Sequence, residues 1–150
     1  MTTTTHAPRD ARPPITVEQA NRMLPLVRRI VADLVADYRR WRDAVAAFEV
    51  HAASGRADPG DAAAARLQQT VQRLAADIQH YLGELAALGV ECRGLDDGLV
   101  DFPGEVDGQR AYLCWKLGEP SVEWWHRPEA GFAGRQRLVP NDADAAGAAR

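Results

Sequence analysis

The apolar positions Leu24, Val27, Val31, Leu34, Tyr38, Trp41, Val45 and Phe48 advance in alternating steps of three and four. That spacing draws one stripe along a helix and is the seam pattern of a coiled coil. A second ladder of Ala64, Leu67, Val71, Leu74, Ile78, Tyr81, Leu85 and Leu88 repeats the rule. Thr16-Val17-Glu18-Gln19 has capping-box spacing, with Ile15 in the hydrophobic-staple position, so a helix is expected to start at about Val17. Pro25 predicts a bend or a break, because an internal proline costs roughly 3 kcal/mol. Residues 51–61 contain Ser54-Gly55 and Asp58-Pro59-Gly60, a turn cluster, after which Asp61 is placed to cap an alanine-rich helix that Gly89 closes. Two ladders joined by a short polar loop predict an antiparallel helical hairpin. It pairs Phe48 with Ala64, Trp41 with Val71, Val31 with Tyr81 and Leu24 with Leu88. Ile30 and Val35 widen the stripe beyond a two-helix seam, so its outer face is expected to meet another layer or another subunit.

After Gly89 the period drops to two. Residues 90–93 and 99–102 read as short strands, the second ended by Pro103-Gly104, and Asp107-Gly108 is a hairpin turn signal. Residues 111–117 alternate Leu113, Trp115 and Leu117 against Tyr112, Cys114 and Lys116. Residues 122–126 place Val122, Trp124 and His126 opposite Glu123 and Trp125. The expected architecture is α+β, a long antiparallel helical hairpin (residues 15–88) packed on a small antiparallel meander of three or four strands. Residues 127–138 read as an irregular segment closing one domain of residues 15–138. Residues 1–14 and 139–150 are expected to be flexible.

Composition narrows the functional classes. The chain has 150 residues, 46% of them hydrophobic, which suits one globular domain and excludes a large multi-domain enzyme. Net charge is −3, and residues 17–88 balance nine basic against nine acidic side chains. Neither a nucleic-acid footprint nor attraction to an anionic membrane is therefore expected, and no apolar run reaches the roughly 18 residues of a membrane span. Cys92 and Cys114 form no Cys-x-x-Cys pair, so they read as reduced thiols of a cytoplasmic protein.

The blocks VEQANRMLPLVR (17–28), GLVDFP (98–103), YLCWKLGE (112–119), WWH (124–126) and GFAGR (131–135) resemble, in order, an uncharacterised bacterial family, domain of unknown function 2203. The resemblance spans residues 15–138. It implies a compact bacterial cytosolic protein and brings no activity or catalytic residues with it.

The candidate ligand-binding residues are Asp101, His126, Glu129, Arg135 and Trp125. His126 ends a tryptophan-rich strand, where an imidazole can shuttle a proton or cap the core, and Asp101 lies across the sheet as its partner. Asp101 sits between apolar neighbours, so its carboxylate needs a cation such as Arg135 or Arg110. Gly131-Phe132-Ala133-Gly134-Arg135 reads either as an anion cradle or as a loop whose arginine pairs with a carboxylate of its own fold. Asp101, Cys114, Glu123, His126 and Glu129 lack a fixed metal-ligand spacing, so no metal ligand is assigned, and the cofactor is unknown. Asp96-Asp97-Gly98 reads as a turn. The leading expectation is a non-enzymatic interaction protein that forms a homo-oligomer, a homodimer, through its hairpin. The alternative is a small-ligand, anion or metal-binding protein using the polar corner of the sheet.

Overall fold

The structure, a computed structural model, describes residues 12–55 and 60–139. The expected flexible segments beyond those bounds and the Asp58-Pro59 turn lie outside the described residues. Helix α1 (Val17–Ala53) opens with the capping box closed in both directions, Thr16 Oγ1 accepting from Gln19 N at 3.1 Å and Gln19 Oε1 from Thr16 N at 3.0 Å. Pro25 does not end it. Ala20 and Leu24 before the proline and Val27, Ile30, Val31 and Leu34 after it are all buried. At about 1.5–3 kcal/mol for each large side chain, that continuous stripe outweighs one lost hydrogen bond.

Helix α2 (Ala62–Ala87) starts at Asp61, whose carboxylate accepts from Ala63 N at 2.9 Å. The same carboxylate meets the His51 ring, which holds the Asp61 carboxyl below its ordinary range. The helices pack on one another near the register that the ladders predict. Tyr81 of α2 faces Asp37 and Asp33 of α1, and burial together with those carboxylates pushes its phenol up. Ala46 and Val50 of α1 share a groove with Leu67 of α2.

Five strands follow: β1 (Glu91–Gly94), β2 (Leu99–Val106), β3 (Gln109–Lys116), β4 (Trp124–His126) and β5 (Gln136–Arg137). They pair antiparallel in chain order, a pure meander. Two details differ from the sequence expectation. β2 runs through Pro103-Gly104 to Val106, because β1 pairs only with residues 99–101 and leaves the Pro103 position on an open edge. There the missing N–H costs no ladder bond, while the Pro103 carbonyl accepts from Ile15 N at 2.8 Å. The fifth strand lies in the segment read as irregular, since two residues are too few to show a period. Asp107 (φ 55°) and Gly108 (φ 73°) form the tight β2–β3 turn, as read.

The pleat gives the sheet two distinct faces. Val100, Phe102, Leu113 and Trp115 point to α1 and form the core with Val27, Val31 and Leu34. Ile30 and Val35 join this core, so the second layer that the wide stripe calls for is the chain's own sheet. Gly98 (φ 70°) lets the β1–β2 turn approach the helix, and a Cβ there would lie 2.8 Å from both Val31 Cγ1 and Leu117 Cβ. Gly98→Ala is therefore expected to cost roughly 1–3 kcal/mol, read as a lower urea midpoint at unchanged slope.

The sheet covers only the first half of α1. Beyond Asp37 the one buried apolar residue of α1 is Ala44, while Trp41, Val45 and Phe48 are half-buried and Val50 is 72% exposed. Opposite them on α2, Leu67 and Val71 are half-buried as well.

Candidate functional site

The second face of the sheet would ordinarily be wet, and here its centre is dry. Asp101 stands opposite Glu91 on one side and Cys114 on the other, and Cys114 is followed by Trp124. His126 stands opposite Tyr112. Alternation thus turns Asp101, Tyr112, Cys114, Trp124 and His126 the same way. Asp101 is 2% exposed, His126 4% and Cys114 0%. Two cation–aromatic stacks flank this face. Arg93 lies over Tyr112 at 5.2 Å, and the Tyr112 ring packs 5.4 Å from His126. Arg135 lies 4.7 Å from Trp124 and 5.1 Å from Phe132, which belongs to a short 3-10 turn.

A buried carboxylate needs partners, and Arg93 and His126 are among those of Asp101. Its Oδ2 accepts from Arg93 Nε at 3.1 Å, and its oxygens lie 3.0 and 3.1 Å from His126 Nε2. The other imidazole nitrogen, Nδ1, lies 2.8 Å from the Arg127 carbonyl. A carbonyl only accepts, so Nδ1 carries a hydrogen there and ring orientation is fixed from both ends. Arg93 also donates to Glu91 at 2.7 Å, which balances its charge. Cys114 completes the group: its Sγ, a carboxylate oxygen of Asp101 and a ring nitrogen of His126 all lie within 4.8 Å of one another. Burial, with the Asp101 carboxylate adding to it, pushes the Cys114 thiol up to about 12. As a free thiol it is therefore protonated and a poor nucleophile.

The five sequence candidates have different fates. Asp101 and His126 meet directly. Arg135 comes to Cys114, which feels its charge, and pairs with Glu119, while its Nε is buried without a hydrogen-bond partner. The glycine loop is therefore the one whose arginine pairs with a carboxylate of its own fold. Glu129 stands exposed in the turn after β4 and is not among the three grouped donors. Trp125 stands opposite Leu113 on the helix-facing side, under the Arg127 guanidinium at 4.8 Å, so it belongs to the core edge and not to the cluster. Arg93, not among the cations expected from the sequence, supplies a cation to Asp101, and Arg135 goes to Glu119. The signal for Arg93 is the alternation of Glu91 and Arg93 about Cys92 on the neighbouring strand.

A cleft of about 1070 Å³ opens beside the cluster, between the entry to α1, the end of α2 and the β1–β2 edge. Glu91 and Tyr112 line it, whereas Asp101, Cys114 and His126 are not on its wall. A second groove of about 460 Å³ lies on the uncovered half of the hairpin, between Ala46, Ala47, Val50 and Leu67. No helix among the described residues is long and apolar enough to cross a membrane.

Residues 15–138 match the model of a family described as an uncharacterized conserved protein, DUF2203. No curated protein and no solved structure matches the chain.

Proposed function

The chain belongs to DUF2203, a family whose description carries no activity, and we propose that it works as a self-associating protein whose partner is a second copy of itself. One observation carries this reading: the sheet covers one half of the hairpin and leaves the apolar seam of the other half partly open to solvent. A two-helix seam without a third layer is marginal, because burial on one side barely offsets the cost of ordering the chain, roughly 1–2 kcal/mol per residue. Residues 37–53 and 61–77 span two helices of about 25 Å each at about 1.5 Å per residue. Side by side they present a face approaching the roughly 800 Å² that each side of a standard interface buries.

Charge fits a copy of the same surface better than it fits nucleic acid or an anionic membrane. This arm holds five arginines (Arg39, Arg40, Arg42, Arg66, Arg73) and five acids (Asp37, Asp43, Glu49, Asp61, Asp77). A neutral mixed face pays no like-charge penalty against itself. Two free thiols fit a reducing compartment such as the cytoplasm.

Sedimentation velocity over a micromolar concentration series tests the reading. The wild type is expected to reach twice the 16.4 kDa chain mass. Val50→Glu, which alters an exposed side chain of the arm, is expected to raise the dissociation constant at least a hundredfold while the near-ultraviolet signal of the buried Trp115 stays unchanged. A wild type that stays at the single-chain mass into the hundreds of micromolar overturns it.

A further inference from the structure

We propose that Asp101, Cys114 and His126 form a binding site for one divalent transition-metal ion of the zinc type. The three donors come from adjacent strands, β2, β3 and β4, whose pairing fixes their backbone positions, and the donor atoms all lie within 4.8 Å of one another. A tetrahedral zinc ion with bonds of about 2.0–2.3 Å needs its donors roughly 3.3–3.8 Å apart. Side-chain rotation of about an ångström closes the remaining gap. This site is independent of the hairpin arm.

Three further features suit an ion here. His126 Nδ1 bonds the Arg127 carbonyl at 2.8 Å, the support that fixes metal-binding imidazoles and directs their other nitrogen to the ion. The charges close: a divalent cation, the Asp101 carboxylate and a Cys114 thiolate sum to zero, which makes a buried complex affordable. The nearby guanidiniums are already matched, Arg93 with Glu91 and Arg135 with Glu119. Finally, the Arg135 Nε is buried and lacks a partner beside Cys114. It is a donor for a bound thiolate or for a water or small anion in the fourth position, which three protein donors leave open.

On binding, two protons leave for solvent, one from the Cys114 thiol and one from the contact between His126 and Asp101, and no electron is transferred. A set of one thiolate, one imidazole and one carboxylate favours zinc or cobalt over magnesium or calcium, which take all-oxygen ligands.

Cobalt(II) added to chelator-treated protein is the test. One equivalent is expected to produce a thiolate-to-cobalt charge-transfer band in the near ultraviolet and the visible bands of a tetrahedral ion, and zinc is expected to displace it. Cys114→Ser keeps the side-chain shape and is expected to abolish the charge-transfer band and weaken cobalt binding at least tenfold. Cys92→Ser, carrying the other thiol, is expected to leave both unchanged. Absence of the band in folded wild-type protein, or a band that survives Cys114→Ser and disappears in Cys92→Ser, overturns the proposal. Native mass spectrometry with excess zinc is expected to show one ion per chain, and a metal-free spectrum counts as the same refutation.

Discussion

Asp101→Ala is expected to destabilise the chelator-treated protein by about 3–5 kcal/mol, the cost of stripping one partner from a buried ion pair. The carboxylate is 2% exposed and is shared between Arg93 Nε at 3.1 Å and His126 Nε2 at 3.0 Å. Its removal takes the acceptor from the buried His126 Nε2, while the half-exposed Arg93 keeps Glu91, so the cost falls chiefly on the imidazole. The pair Asp101→Leu with His126→Phe separates this cause from simple loss of packing. If the cost is the orphaned partner, the double variant is expected to lie closer to wild type than the two single losses summed, because an apolar pair leaves nothing unsatisfied on that side. Urea unfolding followed by circular dichroism measures Asp101→Ala and the four proteins of this cycle. Additive losses show that the two side chains act separately.

Trp115→Ala is the second large effect, expected at about 3–5 kcal/mol. Trp115 is fully buried at the centre of the helix-facing side, and its Nε1 donates to the Glu119 carbonyl at 3.0 Å. The Glu119 carboxylate in turn accepts from Lys116 N at 2.7 Å and pairs with Arg135. One indole therefore fills the core and ties the turn after β3 to the side chain beside Cys114. Trp115→Phe keeps much of the volume and loses the N–H, so it is expected to cost far less than alanine while freeing the turn. Thermal and urea denaturation give the stability difference, and nuclear magnetic resonance of the Lys116 and Glu119 amides reports the turn. A phenylalanine variant as unstable as the alanine one contradicts the assignment of most of the cost to packing.

Much of this architecture is written in the spacing of apolar residues. The two ladders set the hairpin and its approximate register, and period-two alternation separates Trp115 from Cys114 and places Asp101 and His126 on one side of a meander. Alternation names a side and says nothing about what covers it. The surroundings of Cys114 include Arg135, which sits in a segment with no period to read. Arg93 escaped for a related reason: a cation at the end of a four-residue strand looks like a solvated terminus until its strand is known to lie beside Asp101. Pro103 misled in the opposite direction, since a strand-ending residue becomes harmless on an open edge. Trp125 was legible as facing away from His126, and its place in the ligand set conflicts with that same alternation. The wide stripe of α1 pointed to a further layer, and the chain supplies that layer for only half its length.

Hydrogen–deuterium exchange at two protein concentrations tests self-association of the uncovered half most directly. Amides of residues 38–53 and 62–74 are expected to be protected at high concentration and to lose that protection on dilution, while those of residues 20–35 and of β2 and β3 stay protected throughout. Equal protection of the arm at both concentrations, with sedimentation showing a monomer at the lower one, would mean that its two helices are stable without a second copy, contradicting the account.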